Sequence, residues 1–458
     1  MLQVCEYNPR DYLNWLARTS DFASVEKRGR LRHTAKASLI QLIIAVMLLA
    51  GYVASLSLIW LMHALIGLAV AIVCLAVTPY VVAYAVLVPL FIARFTVQYP
   101  LERFTMRKAR ARLAASSAQI IAVAGSFGKT SMRDILRTVL SEGKTVAAPP
   151  ESYNTPLGIS RFVQGLSGHE EVLVFELGEY YPGDVRRLSN LVQPDIGVVT
   201  GVNEAHLSKF KTIDRTVGTI FELADWLGDK LVFVNGDNQL ASEAARTGHV
   251  LYSREGSGPW RVGHASTGLG GTTFDLANGG LKIHVRTHLL GLHQVGPLAA
   301  AADLAFRLGM SPRQIETGLS KVKPFAHRLE PKVDSDGVTI LDDSYNGNPD
   351  GVAAVISFLG TLTGHRRIYV TPGLVEMGHQ SRQVHEHIGR LLAEAGIETI
   401  VLIRNSATPH IARGLGQAKY SGEVLWFDDG PSSVAAIPHM TTRGDVVLLQ
   451  NDWPDQYA

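Results

Sequence analysis

Apolar positions along the chain follow two regimes that change near residue 118. Before it, Leu39–Met62 runs almost without charge or strong polarity, and Ile66–Ala93 does so again after a break at His63. Each run is longer than the ~20 helical residues that cross a hydrocarbon core, and neither has a polar face, so the pattern predicts two membrane-spanning helices in a tight hairpin. Pro79 and Pro89 predict kinks in the second helix. After residue 118, short apolar runs alternate with amphipathic patterns and loops, which predicts an α/β protein. Strands are expected at Val172–Phe175, Ile196–Thr200, Val338–Leu341, Arg367–Val370, Thr399–Ile403 and Asp445–Leu449, and Leu289–Leu308 reads as a loop followed by an Ala-rich helix.

Charge orients the hairpin. Lys27, Arg28, Arg30, Arg32 and Lys36 precede the first run, Arg94, Arg103, Arg107, Lys108, Arg110 and Arg112 follow the second, and the connection has none. Positive charge stays on the cytoplasmic side, so a two-pass protein of the inner membrane is expected, with both termini and the soluble part in the cytoplasm. With 458 residues and a net charge of +2, the chain has room for two or three domains and no field that advertises nucleic acid as a partner. Its two cysteines, Cys5 and Cys74, are far apart, which excludes a disulfide framework and fits a reducing compartment.

Candidate chemistry begins at Ile120–Arg133, IIAVAGSFGKTSMR. A strand, a glycine-bracketed loop and a helix start make a phosphate cradle, because backbone N–H groups and the helix dipole converge on an anion. Gly125 and Gly128 allow close approach, Ser126 and Ser131 flank the loop, Lys129 reaches outer phosphates, and Thr130 offers a hydroxyl to Mg²⁺. Val123 stands where the full phosphate-loop pattern has a glycine. Glu176 and His206 follow two later strands, and in an open parallel sheet ligands bind beyond the carboxyl ends, so both should face the same crevice. The string Asp342-Asp343-Ser344-Tyr345-Asn346-Gly347-Asn348 carries more polar chemistry than a turn requires.

The segments AGSFGKTS, SYNTPLGI, FELGEYYPGDVRRLSNLVQPDIGVVT, NEAHLSKF, GLHQV, HRLE, LDDSYNGNPDG and TPGLVEMGHQSRQVHEHIG together resemble the Mur ligases. The likeness is greatest to the MurF branch, which joins a dipeptide to a nucleotide-linked peptide in bacterial cell-wall synthesis. It implies a central P-loop ATPase domain with a mostly parallel sheet at 118–326 and a Rossmann-like domain at 327–458, preceded by a segment 1–37, the hairpin 38–95 and a basic linker 96–117. It further implies that ATP and Mg²⁺ convert a carboxylate into an acyl phosphate, which an amino acid or dipeptide amine then attacks, releasing ADP. Lys129, Glu176, His206 and Asp343 would be catalytic, with Thr130, Glu176 and His206 around the metal. His293, Arg328, Asp343, Tyr345, Asn346 and Asn348 would meet the nucleotide as the lobes close, and Asn154 and Thr155 would touch the acyl substrate.

Several positions depart from the family pattern. Ile220 occupies the position matched to a carbamylated, metal-bridging lysine; Gln294 and Pro297 replace asparagines near the adenine; Gly201 and Asn203 look exchanged; and Gln450-Asn451-Asp452 replaces a Lys-Gly-Ser string. The hairpin takes the place of the uridine-nucleotide domain, which points to a lipid-linked or polymeric carboxylate at the bilayer. A poly-γ-glutamate type amino acid ligase, and a nucleotide-binding scaffold that recruits cell-wall synthesis proteins, are the alternatives.

Overall fold

The structure is a computed structural model that describes residues 9–18, 34–61, 64–150, 153–203, 210–345, 347–375, 377 and 380–450. His206, Asn346 and the string Asn451-Asp452 lie outside the described residues. The described residues form two compact units, one up to Thr105 and one from Met106 onward.

In the N-terminal unit, helix Pro9–Arg18 presents Tyr12 and Leu16 to a small cluster with Ile40, Val86 and Leu90, and the Tyr12 hydroxyl donates to the Ala83 carbonyl at 3.0 Å. The two apolar runs form helices Ala35–Leu61 and Ala64–Ala85. The second is interrupted at Val86 and resumes as Leu87–Ala93, the π-helical turn Arg94–Gln98 and helix Tyr99–Ala114. Pro89 accounts for the interruption, since its ring excludes the carbonyl four residues earlier, that of Ala85, and it lacks an N–H. Pro79 lies within a continuous helix, and the basic stretch expected as a linker is helical to Ala114. Two spans were expected. Among the described residues, one run, Ala76–Ala114, is both long and apolar enough to cross a membrane, while Ala37–Val53 is a shorter apolar stretch. Leu42, Val46, Leu49, Val53, Ile72, Val73 and Tyr80 are exposed.

The second unit contains two sheets. The first is built from β1 (Gln119–Ala124), β2 (Val146–Ala147), β3 (Val172–Glu176), β4 (Ile196–Val199), β5 (Val232–Asn235), β6 (Val250–Ser253), β7 (Gly256–Ser257), β8 (Trp260–Gly268), β9 (Gly271–Asn278) and β10 (Leu281–Thr287), in the order β10-β9-β8-β7-β6-β5-β4-β1-β3-β2. Pairs from β2 to β6 are parallel, and from β6 to β10 antiparallel. The antiparallel half was not anticipated. In β1, alternate residues enter different cores: Ile121 and Val123 join the helices Lys129–Leu140 and Val295–Arg307, while Ile120, Ala122 and Ala124 join Asp184–Val192 and Ile213–Leu227. A strand covered on both faces reads as an unbroken apolar run, as this one does. Ile220 is a fully buried member of the second core, so the isoleucine there serves packing.

The C-terminal sheet comprises β11 (Glu330–Val333), β12 (Thr339–Asp343), β13 (Arg367–Thr371), β14 (Thr399–Ile403), β15 (Glu423–Phe427) and β16 (Val446–Gln450), ordered β11-β12-β16-β13-β14-β15. All its pairs are parallel except β11 with β12. β12 runs two residues beyond the expected end, so Asp342 and Asp343 are strand residues and not part of the turn.

Candidate functional site

The buried strand β1 delivers Gly125 to its carboxyl end. A Cβ there would stand 2.1 Å from the Thr200 hydroxyl, and Gly128, at φ 73°, caps the helix Lys129–Leu140 from the left-handed region; glycine meets both demands. The end of β4 holds the loop in place: Ser126 N–H donates to the Gly201 carbonyl at 2.8 Å, and the Thr200 hydroxyl donates to the Phe127 carbonyl. Gly201 packs so closely under the Phe127 ring that a Cβ would lie 2.4 Å from it. Thr130 and Ser131 sit in the first helical turn, where backbone N–H groups have no acceptor within the helix. Ser126 Oγ is buried with no hydrogen-bond partner among the described residues. An unmatched hydroxyl, a loop too tight for side chains and a helix N-terminus fit a phosphate group.

Two buried carboxylates face this loop. Glu176, at the end of β3, accepts the Thr130 hydroxyl at 2.9 Å and the Asn154 amide at 3.0 Å, with Arg133 at 3.5 Å. Glu179 accepts Lys129 Nζ at 2.7 Å, and the same ammonium donates to the Gly125 carbonyl at 2.5 Å. The oxygen donors Thr130 and Glu176 suit Mg²⁺. Glu179 was missed from sequence, although it sits three residues past Glu176, beyond the same strand end. Asn154 also fastens its loop by accepting Gly178 N–H on its carbonyl at 3.0 Å, whereas the Thr155 hydroxyl caps helix Pro156–Gln164 through Gly158 N–H. Thr155 is therefore occupied with a backbone role.

His293 lies in the turn Leu292–Gln294, with Nε2 2.9 Å from the Gln294 amide and Nδ1 buried and unpartnered among the described residues. Burial and the nearby Arg254 charge lower its pKa to about 4, so the ring is neutral and offers its spare nitrogen to a neutral partner such as a nucleobase.

The C-terminal residues divide. Arg328 stacks on Tyr345, its guanidinium carbon 4.8 Å from the ring centre. His327 and Leu329 both have positive φ, 59° and 50°, and Asp343 steadies this turn by accepting Leu329 N–H at 3.0 Å. Asp343 thus holds the segment that links the two sheets. Asp342 accepts from His327, Lys332 and Ser344. Asn348 caps helix Pro349–Thr361 through Gly351 N–H and accepts the Asn203 amide at 3.0 Å. Since Asn203 follows Gly201, which binds Ser126, the C-terminal turn reaches the strand end beside the loop.

Residues 123–305 match the Mur ligase middle domain, and residues 327–450 match the domain described as Mur ligase, glutamate ligase domain. Over 364 residues the chain is 30% identical to a UDP-N-acetylmuramoyl-tripeptide–D-alanyl-D-alanine ligase of Mycobacterium tuberculosis, covering 74% of this chain and 71% of the relative. It is 24% identical to the Bacillus subtilis ligase of the same name over 344 residues, 75% of each. MurF of Thermotoga maritima in complex with ADP superposes with a TM-score of 0.68 at 24% identity, covering 77% of this chain and 80% of that one. MurF of Acinetobacter baumannii gives 0.68 at 23% identity and 77% of each. At such identities the structural likeness is one of fold.

Proposed function

Because the chain belongs to the Mur ligase family, we propose that it is a membrane-anchored amide ligase that works through an acyl phosphate in cell-envelope polymer synthesis. It is an ATP-dependent, ADP-forming enzyme, as its relatives are. The observation that carries this reading is the linked set at one strand end: Lys129 on the glycine loop, Thr130 bonded to Glu176, and Asn154 bonded to the same carboxylate.

The loop N–H groups and the helix dipole hold the outer phosphates, and Lys129 neutralises charge on the γ-phosphoryl group as it moves. Thr130 and Glu176 would hold Mg²⁺, with His206 as the further candidate from the sequence, and the ion would supply charge withdrawal from the phosphate oxygens. A carboxylate oxygen of the acyl substrate, oriented by Asn154, attacks the γ-phosphorus, and ADP leaves. The amine then attacks the acyl carbon, loses a proton and expels phosphate. His293 meets the base, and the Arg328–Tyr345 and Asn348 segments close over the site, excluding water that would hydrolyse the acyl phosphate.

Exposed apolar side chains on the N-terminal helices support anchoring in lipid, and the flanking basic residues support a two-pass arrangement with the catalytic domains in the cytoplasm. The carboxylate is then presented at the bilayer, as a lipid-linked precursor or growing polymer. The test is product mass after incubating the detergent-purified chain and ATP with muramyl peptide plus D-Ala-D-Ala, or with glutamate. An adduct one water lighter than the sum of its reactants, formed with stoichiometric ADP, is expected with the muramyl peptide and dipeptide. Nucleotide binding without any adduct from either set would overturn the enzyme reading.

A further inference from the structure

The solvated face of the antiparallel meander takes no part in the site described above, and it is basic. In β10 the outward positions include Lys282, His284 and Arg286, and His288 continues the alternation one residue beyond the strand; all four are exposed, while Ile283, Val285 and Thr287 between them are buried. Strands β8, β9 and β10 contain a single acid, Asp275, against Arg261, Lys282 and Arg286. Asp275 is shared by His264, Lys282 and His284 at 3.0, 3.1 and 2.9 Å. The far end of the row stays open: among the described residues, the side chains of Arg286 and His288 make no hydrogen bond or ion pair. Lys323 is exposed next to Val322, whose carbonyl accepts the Thr287 hydroxyl at 3.2 Å. From this end the chain passes through Leu289 and Leu290 into the turn Leu292–Gln294, which carries His293. Protecting an edge strand needs charge at its rim, not on every outward position of it.

Successive outward residues of a strand stand about 7 Å apart, so the row offers donors at regular intervals to an extended chain of acids, and an arginine fork takes a carboxylate in two parallel bonds. The ligation itself makes such a chain. Each turnover consumes one carboxylate and, because the incoming amino acid or dipeptide carries its own, leaves at least one in its place. We propose that the outward face of β10 is a docking track for the acceptor, a carboxylate-bearing chain that lies along Lys282, His284, Arg286 and His288 with its reactive end toward the turn of His293. This rests on the ligase reading above and narrows its acceptor to the growing polymer. The track adds affinity with chain length, through charges that salt screens, and takes no part in phosphoryl transfer.

The test is fluorescence anisotropy of a labelled glutamate oligomer of about 20 residues with full-length protein in detergent, for the wild type, Arg286→Gln and Arg286→Glu, at low and at physiological salt, with thermal unfolding of each. Arg286→Glu is expected to weaken binding by about 10-fold or more and Arg286→Gln by about 3-fold, with the differences shrinking as salt rises. Melting should not change, because the side chain has no partner to lose. With a single muramyl peptide plus D-Ala-D-Ala, ADP release should be equal in all three proteins. Equal oligomer binding by the wild type and Arg286→Glu, or none by either, overturns the proposal, since the face would then be solvated charge alone. A single-stranded oligonucleotide of the same charge that binds more tightly than the oligomer also overturns it, by assigning the face to a phosphate polymer. If Arg286→Glu melts earlier than the wild type, His288→Glu at the next outward position carries the same comparison. A wild type that releases no ADP with the short acceptor sinks the ligase reading itself, a failure distinct from that of the face.

Discussion

Asp343 and Lys129 are both charged residues at strand ends, yet the structure gives them opposite work. Burial chiefly, and the adjacent Asp342 charge, raise the Asp343 pKa to about 7, against the pull of Leu329 N–H and Arg328. An unfolded aspartate titrates near 3.9. Between those values the folded state keeps a proton that the unfolded state has lost, so this contribution is fully present at low pH and is lost as pH rises through 7. Asp343→Asn keeps an acceptor for Leu329 and removes the titration. Urea unfolding at pH 5 and pH 8 should show the wild type losing stability relative to the variant, with a slope of at most about 1.4 kcal/mol per pH unit. Parallel losses would mean that Asp343 is ionised throughout. Lys129→Ala should lower ADP release by about 10²–10³-fold, because its charge acts on the transferring phosphate, and should also lower the melting temperature, because it removes the cation 2.7 Å from the buried Glu179 carboxylate. Sequence made Lys129, Thr130 and Glu176 legible through a local motif and a strand end. Asp343 was also singled out, but its direction was not legible: whether a strand-end carboxylate points to the crevice or into a neighbouring turn depends on contacts distant in the chain.

Elements were more legible than directions. Parallel strands, buried on both faces, announce themselves as apolar runs, and β3, β4, β13, β14 and β16 begin within a residue of their expected starts. The meander β8 to β10 carries no unbroken apolar run: its buried Phe274, Leu276, Ile283 and Val285 alternate with half-buried Thr273 and Asp275 and exposed His284, the period-two pattern of a sheet with one solvated face. A break at Val86 is foreshadowed by Pro89 three positions later, whose ring reaches back to the Ala85 carbonyl. The glycine loop makes the element-scale prediction. Gly125→Ala places a methyl 2.1 Å from the Thr200 hydroxyl and 3.1 Å from the Gly201 carbonyl, and should cost about 1–3 kcal/mol while abolishing nucleotide binding. Gly218, inside helix Ile213–Leu227 with nothing within 4 Å of a built Cβ, should accept alanine with a gain of about 0.5–1 kcal/mol. Melting curves for the two variants separate loop packing from general glycine effects; a Gly125→Ala protein that still binds an ADP analogue would show that the loop can open without loss.

For the whole molecule, the family domains account for residues 123–305 and 327–450, which leaves the N-terminal helices outside both, and the anchoring proposed for them has to give the ligase something at a bilayer. Exposed Leu42, Leu49, Ile72 and Val73 are costly in water and stable in lipid, so the full chain should remain in the membrane pellet after alkaline carbonate and leave it only with detergent. Anchoring matters chemically if the carboxylate is also bilayer-borne. Confining both reactants to one surface raises the acceptor's effective concentration without adding a contact, by about 10²-fold or more for a short tether. A reconstituted enzyme given a lipid-linked muramyl peptide should therefore reach half-maximal ADP release at far lower bulk acceptor than the same enzyme diluted in detergent, while a soluble UDP-linked acceptor should show no such difference. Equal half-saturation for both acceptors in vesicles and detergent would separate anchoring from substrate choice, and would assign the helices to recruiting partners instead of presenting substrate.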